Sequence, residues 1–375
     1  MLERPALARL DGDGEFMTID LFDNEKDGFT SVRIPAVVAT EAGLVLAFAV
    51  GRTQVSDWSE SKILLRRSVD EGMTWTPAQV VAEHAGRVVD NPVPIYDPQR
   101  GRIHLLYQTD YNRCYYTYTV DGGETFAPPV DITATFEAYR AQYPWTVIAP
   151  GPGHGIVLRG GRLIVPFWMA RGEGKAHRPS CVATIYSDDG GATWLPGEIV
   201  VDHSPDVPNP SETVAVELGD GSVLLNIRNE SLRYRRAVAV SPDGASHWSP
   251  VTFHDALYEP ICAAGLVRAK VPGSVESVLV FTNPAGRPGE KPRKNSPARP
   301  RTNLTVRLSY DDSKTWPVAR PIEPEQAGYS DVAAAGEYIY CLFEHGAASE
   351  KPVHPRGIRL ARFTLNWVKA GKGES

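Results

Sequence analysis

Apolar residues in this chain come in short runs, separated by Gly, Asp and Pro rather than spaced three and four apart as on a helix face. Residues 43–48, 103–107, 162–167, 223–227 and 278–281 are runs of this kind, each read as a strand bounded by turn residues. Residues 17–21 and 62–67 have the same character, and long amphipathic helices are hard to find. Gly and Pro number 33 and 31 and are spread along the chain, which suits many short strands joined by tight turns. The pattern predicts an all-β protein.

A repeat organises these strands. Directly after residues 62–67 stands S-x-D-x-G-x-T-W, made of Ser68, Asp70, Gly72, Thr74 and Trp75. It returns as Thr119, Asp121, Gly123, Thr125 and Phe126, and again as Ser187, Asp189, Gly191, Thr193 and Trp194. Two weaker copies follow. One has Ser241, Asp243 and Trp248, with Ala245 in the glycine's place and His247 in the threonine's; the other has Ser309, Asp311, Thr315 and Trp316, with Ser313 for the glycine. The chemistry is that of a hairpin turn: hydroxyl and carboxylate bond backbone N–H groups, Gly takes a positive φ, and the aromatic ring packs between sheets. Turn chemistry accounts for the five aspartates without a catalytic role. Copies at intervals of roughly 50 to 70 residues, with room for one blade lacking the motif, predict a six-bladed β-propeller of four-stranded antiparallel blades. Residues 1–375 are read as one domain, with about the first 16 a flexible N-terminus. Closing the ring would pair residues 358–367 with residues 17–21.

Charge and cysteine usage narrow the function. The net charge of −6 comes without a basic stripe interleaved with aromatics, which argues against nucleic acid as a partner. No apolar stretch approaches the ~20 residues of a membrane span. The N-terminus, with Glu3, Arg4, Asp11 and Asp13, lacks the apolar core of a leader, so a cytoplasmic chain is expected, although a secreted parent stripped of its leader would read the same. Cys114, Cys181, Cys262 and Cys341 lie too far apart for a close-spaced zinc pattern or a disulfide scaffold and are expected as free buried thiols. The stretch Asp11-Gly12-Asp13-Gly14 has a calcium-like look but lacks the remaining oxygen ligands and the closing Glu of such a loop. Neither metal nor cofactor is expected.

The repeat resembles the Asp-box of sialidases, which unrelated propellers also carry. A second signal is Val32-Arg33-Ile34-Pro35, ahead of the first box, which resembles the family's Phe/Tyr-Arg-Ile-Pro signature with Val32 replacing the aromatic. From Arg33 onward the chain resembles bacterial exo-α-sialidases nearly throughout. The resemblance implies that three arginines converge on the substrate carboxylate: Arg33, Arg228 in Leu225-Asn226-Ile227-Arg228-Asn229, and Arg301, which Asn303-Leu304-Thr305-Val306 selects over Arg293, Arg299 and Arg307. Guanidinium forks suit this task because they pair bidentately with carboxylates. Asp57, in Ser56-Asp57-Trp58-Ser59, matches the acid/base aspartate, with Val50 and Ser59-Glu60 departing from the residues common nearby. Tyr329, in Gly328-Tyr329-Ser330-Asp331, matches the nucleophile, and Glu212, in Pro210-Ser211-Glu212-Thr213, the base that activates it. Arg52 and Asp90 are implied to contact ring hydroxyls. The glycine-rich 150–156 segment with His154 is read either as a strand turn or as a substrate contact.

A tyrosine nucleophile fits such a substrate. Sialic acid carries a carboxylate on its anomeric carbon, which would repel an incoming carboxylate but not a neutral phenol backed by a base. The resemblance therefore implies a retaining exo-α-sialidase that removes terminal sialic acid from oligosaccharides, glycoproteins or glycolipids through a sialyl-tyrosine intermediate. Two alternatives stay open: a propeller lectin that binds without turnover, and a relative that transfers sialic acid or prefers a deaminated nonulosonic acid. Oligomeric state and linkage preference are not legible.

Overall fold

The structure is a computed structural model and describes residues 2–3, 5, 7–11, 14–174, 176–287, 299–346 and 354–371. Each apolar run is the centre of a longer strand. Residues 43–48 fall largely within Val45–Arg52, 103–107 within Arg102–Thr109, and 162–167 largely within Leu163–Ala170. Ser31–Ala39, Val45–Arg52 and Leu163–Ala170 are buried along their whole length. Strands covered on both faces read as continuous apolar runs, without the alternation of a half-exposed sheet. Outer strands such as Leu195–Asp202 contain no fully buried residue.

Among the described residues all strand pairs are antiparallel, and the architecture is a β-propeller. One blade contains Ser31–Ala39, Val45–Arg52, Ser61–Ser68 and Gln79–Glu83, and the next contains Val89–Asp97, Arg102–Thr109, Arg113–Thr119 and Val130–Asp131. A third joins Val147–Pro150, Leu163–Ala170, Ser180–Ser187 and Leu195–Asp202, with Ile156–Val157 also pairing to Leu163–Ala170. The fourth joins Thr213–Glu217, Val223–Ile227, Arg235–Ser241 and Thr252–Tyr258.

The expected six-bladed, four-stranded count is corrected here: four blades stand separately, and the other strands form one eight-stranded sheet. The cause is Val318–Ala335, a strand of 18 residues. Through residues 318–326 it pairs with Thr302–Ser309, and through residues 327–335 with Tyr338–His345. Pro321, Pro324 and Gly328 read as breaks in the sequence, yet the ladder absorbs them by shifts of register. Ring closure follows expectation, since Phe16–Asp23 pairs with Gly357–Thr364. That strand ends at Thr364, short of 367, because the Thr364 hydroxyl accepts the Trp367 N–H at 3.1 Å and caps the helix Leu365–Ala370. Met17, Ile19 and Phe22 pack with Val37, Ala47, Trp75 and Leu360, joining the first blade to the closing sheet.

Leu7–Asp11, within the segment read as flexible, forms an edge strand on Phe16–Asp23. Of the calcium-like stretch, Asp11 receives the Arg9 guanidinium, whereas Gly12 and Asp13 lie outside the described residues. The four cysteines are free and buried. Among the described residues no helix is long and apolar enough to cross a membrane.

Four of the five Asp-boxes share one turn, and the remaining copy is a residue shorter. Ser68 Oγ donates to Asp70 and accepts the Gly72 N–H, each at 2.8 Å, and Asp70 accepts the Thr74 N–H at 2.8 Å and the Thr74 hydroxyl at 2.6 Å. In the fourth copy Gly244, one position earlier than expected, takes the positive φ of 74° and donates to Ser241 Oγ. In the fifth, Ser313 itself adopts a φ of 69°. None of these aspartates lines the cavity described next.

Candidate active site

The inner ends of the blades surround a cavity of about 200 Å³. Arg33, Arg52, Asp57, Glu212, Arg228, Arg301 and Tyr329 all line it, although they are scattered over almost 300 residues of sequence. Asp90 does not. It is fully buried behind Arg52, whose Nη2 donates to Asp90 Oδ2 at 2.7 Å.

Tyr329 sits where the long strand passes from one pairing partner to the next, at the register shift between residues 327 and 330. Its hydroxyl donates to Glu212 Oε1 and accepts from Arg228 Nη1 at 2.7 Å. Arg228 Nη1 also reaches Glu212 Oε1 at 2.6 Å, and Ser211 Oγ donates to Glu212 Oε2 at 2.7 Å. The guanidinium carbons of Arg33, Arg228 and Arg301 lie 5.4, 6.0 and 5.3 Å from the Tyr329 ring centre. Three cations thus share one phenol as their floor.

Burial raises the Tyr329 pKa well above its ordinary value, against the pull of Arg228, Arg301 and Arg33, so the phenol is neutral near neutral pH. Burial also opposes ionisation of Glu212, but Arg228 and the hydrogen bonds from Tyr329 and Ser211 outweigh it and hold that carboxyl at about 2. The result is a protonated phenol against a charged carboxylate.

On another side of the cavity stands Asp57, its side chain 45% exposed. Arg52 Nη1 donates to Asp57 Oδ1 at 2.5 Å, and Arg33 Nη1 lies 3.8 Å from the same oxygen. Burial works against ionisation here too, yet Arg52 and Arg33 prevail and lower the Asp57 pKa.

The arginine rivals separate cleanly. Arg301 lines the cavity and donates to Ile261 O at 2.5 Å. Arg299 is buried elsewhere, donating to the carbonyls of Glu259 and Ser231, while Arg307 belongs to the sheet strand Thr302–Ser309 and Arg293 lies outside the described residues. His154 pairs with buried Asp331 at 2.7 Å. In its glycine-rich segment, a Cβ on Gly151 would meet Val93 at 2.8 Å and one on Gly155 would meet Ile95 at 2.8 Å, so both glycines serve packing.

Sequence reasoning missed several residues. Glu344, almost fully buried, receives Arg33 through Nε at 2.9 Å and Nη2 at 3.2 Å, and also the backbone N–H groups of Ile34 and Tyr329 at 3.2 and 3.1 Å. It fixes the arginine and the tyrosine to each other. Tyr111, Trp168, His177, Arg178 and Glu230 complete much of the wall. Ile34 and Asn91, both in the lining, have left-handed φ values of 59° and 58°. A β-branched residue in that region is strained, and such strain clusters at functional sites.

A propeller whose axis holds an arginine-caged tyrosine belongs to a recognisable class, and comparison with known proteins gives the family. The BNR repeat-like domain matches residues 43–341, and the chain belongs to that family. It is 32% identical over 386 residues to a sialidase of Micromonospora viridifaciens, covering 93% of this chain and 54% of the relative. It is 26% identical over 390 residues to sialidase-3 of Mus musculus, covering 88% and 91%. The chain thus spans about half the length of the bacterial relative and most of the mouse one. Among solved structures, Hadza microbial sialidase Hz136 aligns with a TM-score of 0.76 at 21% identity, over 94% of this chain and 69% of its own, a likeness of fold.

Proposed function

We propose that this chain is a retaining exo-α-sialidase, a glycoside hydrolase acting on terminal α-linked sialic acids. The observation that carries the proposal is the Tyr329–Glu212–Arg228 hydrogen-bond cluster inside the three-arginine cage. A lectin needs the arginines but has no use for a buried phenol held against a carboxylate.

In this reading Arg33, Arg228 and Arg301 seat the substrate carboxylate, which brings the anomeric carbon over Tyr329. The Tyr329 oxygen bonds to that carbon as the glycosidic bond breaks; the phenol proton passes to Glu212, and Asp57 gives its proton to the departing glycan oxygen. Asp57 then takes a proton from water, the resulting hydroxide displaces Tyr329 from the anomeric carbon, and Glu212 returns the phenol proton. Two inversions give net retention. In the free protein Asp57 is held ionised by Arg52 and Arg33, so it needs the substrate carboxylate beside Arg33 to favour its acid form.

A 3-fluorosialosyl fluoride tests this directly, because fluorine slows the second step and lets the adduct accumulate. The label is expected on the peptide containing Tyr329 and absent from Tyr329→Phe, which still binds sialic acid. A label elsewhere overturns the nucleophile, and binding without turnover or label supports the lectin.

A further inference from the structure

Asp57 stands on a loop whose residues 53–56 are exposed and which is closed mainly by bonds within itself: Thr53 N donates to Glu60 O at 3.0 Å, Ser59 N to Ser56 O at 3.2 Å, and Ser59 Oγ to Gln54 O at 3.1 Å and Ser56 O at 2.8 Å. The residue after Asp57 is different. The Trp58 ring lies 4.6 Å from the ring centre of Tyr111 and 5.0 Å from that of His177. Those two rings are 4.9 Å apart, and Trp168 lies 5.2 Å from His177. Tyr111 and Trp168 are almost completely buried. Trp58 belongs to the first blade, Tyr111 to the loop after Arg102–Thr109 in the second, and Trp168 to a central strand of the third. Tyr111 is itself fixed, since its carbonyl accepts the Ile148 N–H at 2.7 Å.

From this stack we infer that Trp58 is a positioning residue for the reaction: it anchors the Asp57 loop across two blade boundaries and so sets where the acid/base carboxyl meets the leaving oxygen. The inference rests on the proposed hydrolysis. Without the ring, the loop keeps its internal bonds and the Asp57–Arg52 contact but loses the stacking that ties it to the second and third blades. Aromatic pairs stabilise beyond their buried area, and Trp58 makes two of them. The geometry excludes a role for Trp58 in seating the carboxylate, because it is not among the residues lining the cavity, whereas its two ring partners, Tyr111 and His177, are.

The distinguishing readout is dependence on the leaving group. A phenol-type leaving group departs without acid help, whereas a sugar hydroxyl needs its proton, and general acid catalysis is worth about 10²–10⁴-fold. kcat/KM, which reports the step that breaks the glycosidic bond, is to be measured for 4-methylumbelliferyl α-sialoside and for sialyllactose. In Trp58→Ala it should fall about tenfold or more on sialyllactose and less than about threefold on the aryl sialoside, and Trp58→Phe should recover most of the loss. Amide hydrogen exchange, which needs no turnover, should quicken in residues 53–60 of Trp58→Ala and not in the blades. Equal losses on both substrates, or none on either, overturn the inference. If the unsubstituted protein cleaves neither substrate, the proposed function falls and exchange alone decides the anchor: faster exchange in the loop upholds it, and unchanged exchange removes it.

Discussion

Glu212 offers a quantity that can be worked from the structure. The side chain is almost completely buried, and its pKa of about 2 lies below the usual 4.5 because Arg228, Tyr329 and Ser211 favour the carboxylate more than burial disfavours it. A carboxyl depressed on folding adds stability that is fully present above the unfolded pKa and disappears as pH falls through the folded one. The shift corresponds to about 3 kcal/mol at pH 7, falling to about 1 kcal/mol at pH 3, where the unfolded carboxyl is already protonated. Glu212→Gln keeps the shape and cannot titrate. Urea unfolding followed by tryptophan fluorescence should therefore show the Glu212→Gln protein less stable by about 3 kcal/mol at pH 7, with the gap narrowing to about 1 kcal/mol at pH 3. Other carboxyls titrate in both proteins and cancel in the difference. A gap that stays constant across this range would refute the reasoning, since it would reflect altered packing rather than a charged carboxylate held by Arg228.

The remaining predictions concern the rest of the cage. On the proposed function Arg33→Ala removes a contact to the substrate carboxylate and should lower kcat/KM on an aryl sialoside by about a hundredfold or more, so near-normal turnover would place the pocket elsewhere. Arg52→Gln removes the main cation lowering the Asp57 pKa, so the alkaline limb of the kcat/KM profile should move to higher pH whatever the loss in height. A Cβ on Gly328 would stand 2.3 Å from Glu344 Oε2, so Gly328→Ala should displace that carboxylate, raise KM through Arg33, and cost about 1–3 kcal/mol of stability in a thermal or urea melt.

How much was legible in the sequence depended on where each signal resides. Arg33, Arg228 and Tyr329 sit in short motifs whose neighbours are local, and the structure brings all three to one cavity. The Asp-boxes were legible because their hydrogen bonds join residues two to four apart, as Ser68, Asp70 and Thr74 do. Glu344 was not, since its partners Arg33 and Ile34 are 311 and 310 residues away and nothing in Leu342-Phe343-Glu344-His345 marks a buried carboxylate. Trp58 likewise reads as a loop aromatic until Tyr111 and His177 arrive from other blades. The blade count failed for a related reason: the Asp-boxes mark turns, and only the pairing partners on either side of Val318–Ala335 reveal that one continuous strand joins what the repeat spacing counts as separate blades.

One regularity lies beyond local pattern altogether, and it bears on how the site is built. Ile34 and Asn91 take left-handed φ values near the inner ends of successive blades; Gly151 does so at 52° beside the third blade, and Ile261 at 58° just before Gly265–Lys270. At Ile34 and Asn91 the kink coincides with a break in strand register, between Arg33 and Ala36 and between Asp90 and Val93. Such a bulge turns a side chain out of the pleat, and here it allows Arg33 to reach Glu344 in the neighbouring sheet. At Ile261 the left-handed residue lies in a loop, and its carbonyl accepts from Arg301. An isoleucine is a poor choice for that backbone, so composition gives no warning of it. The strain is tolerated because the cage it forms is tied down by buried ion pairs, and relieving it at Ile34 with glycine would lower the local cost while loosening the arginine the kink aims.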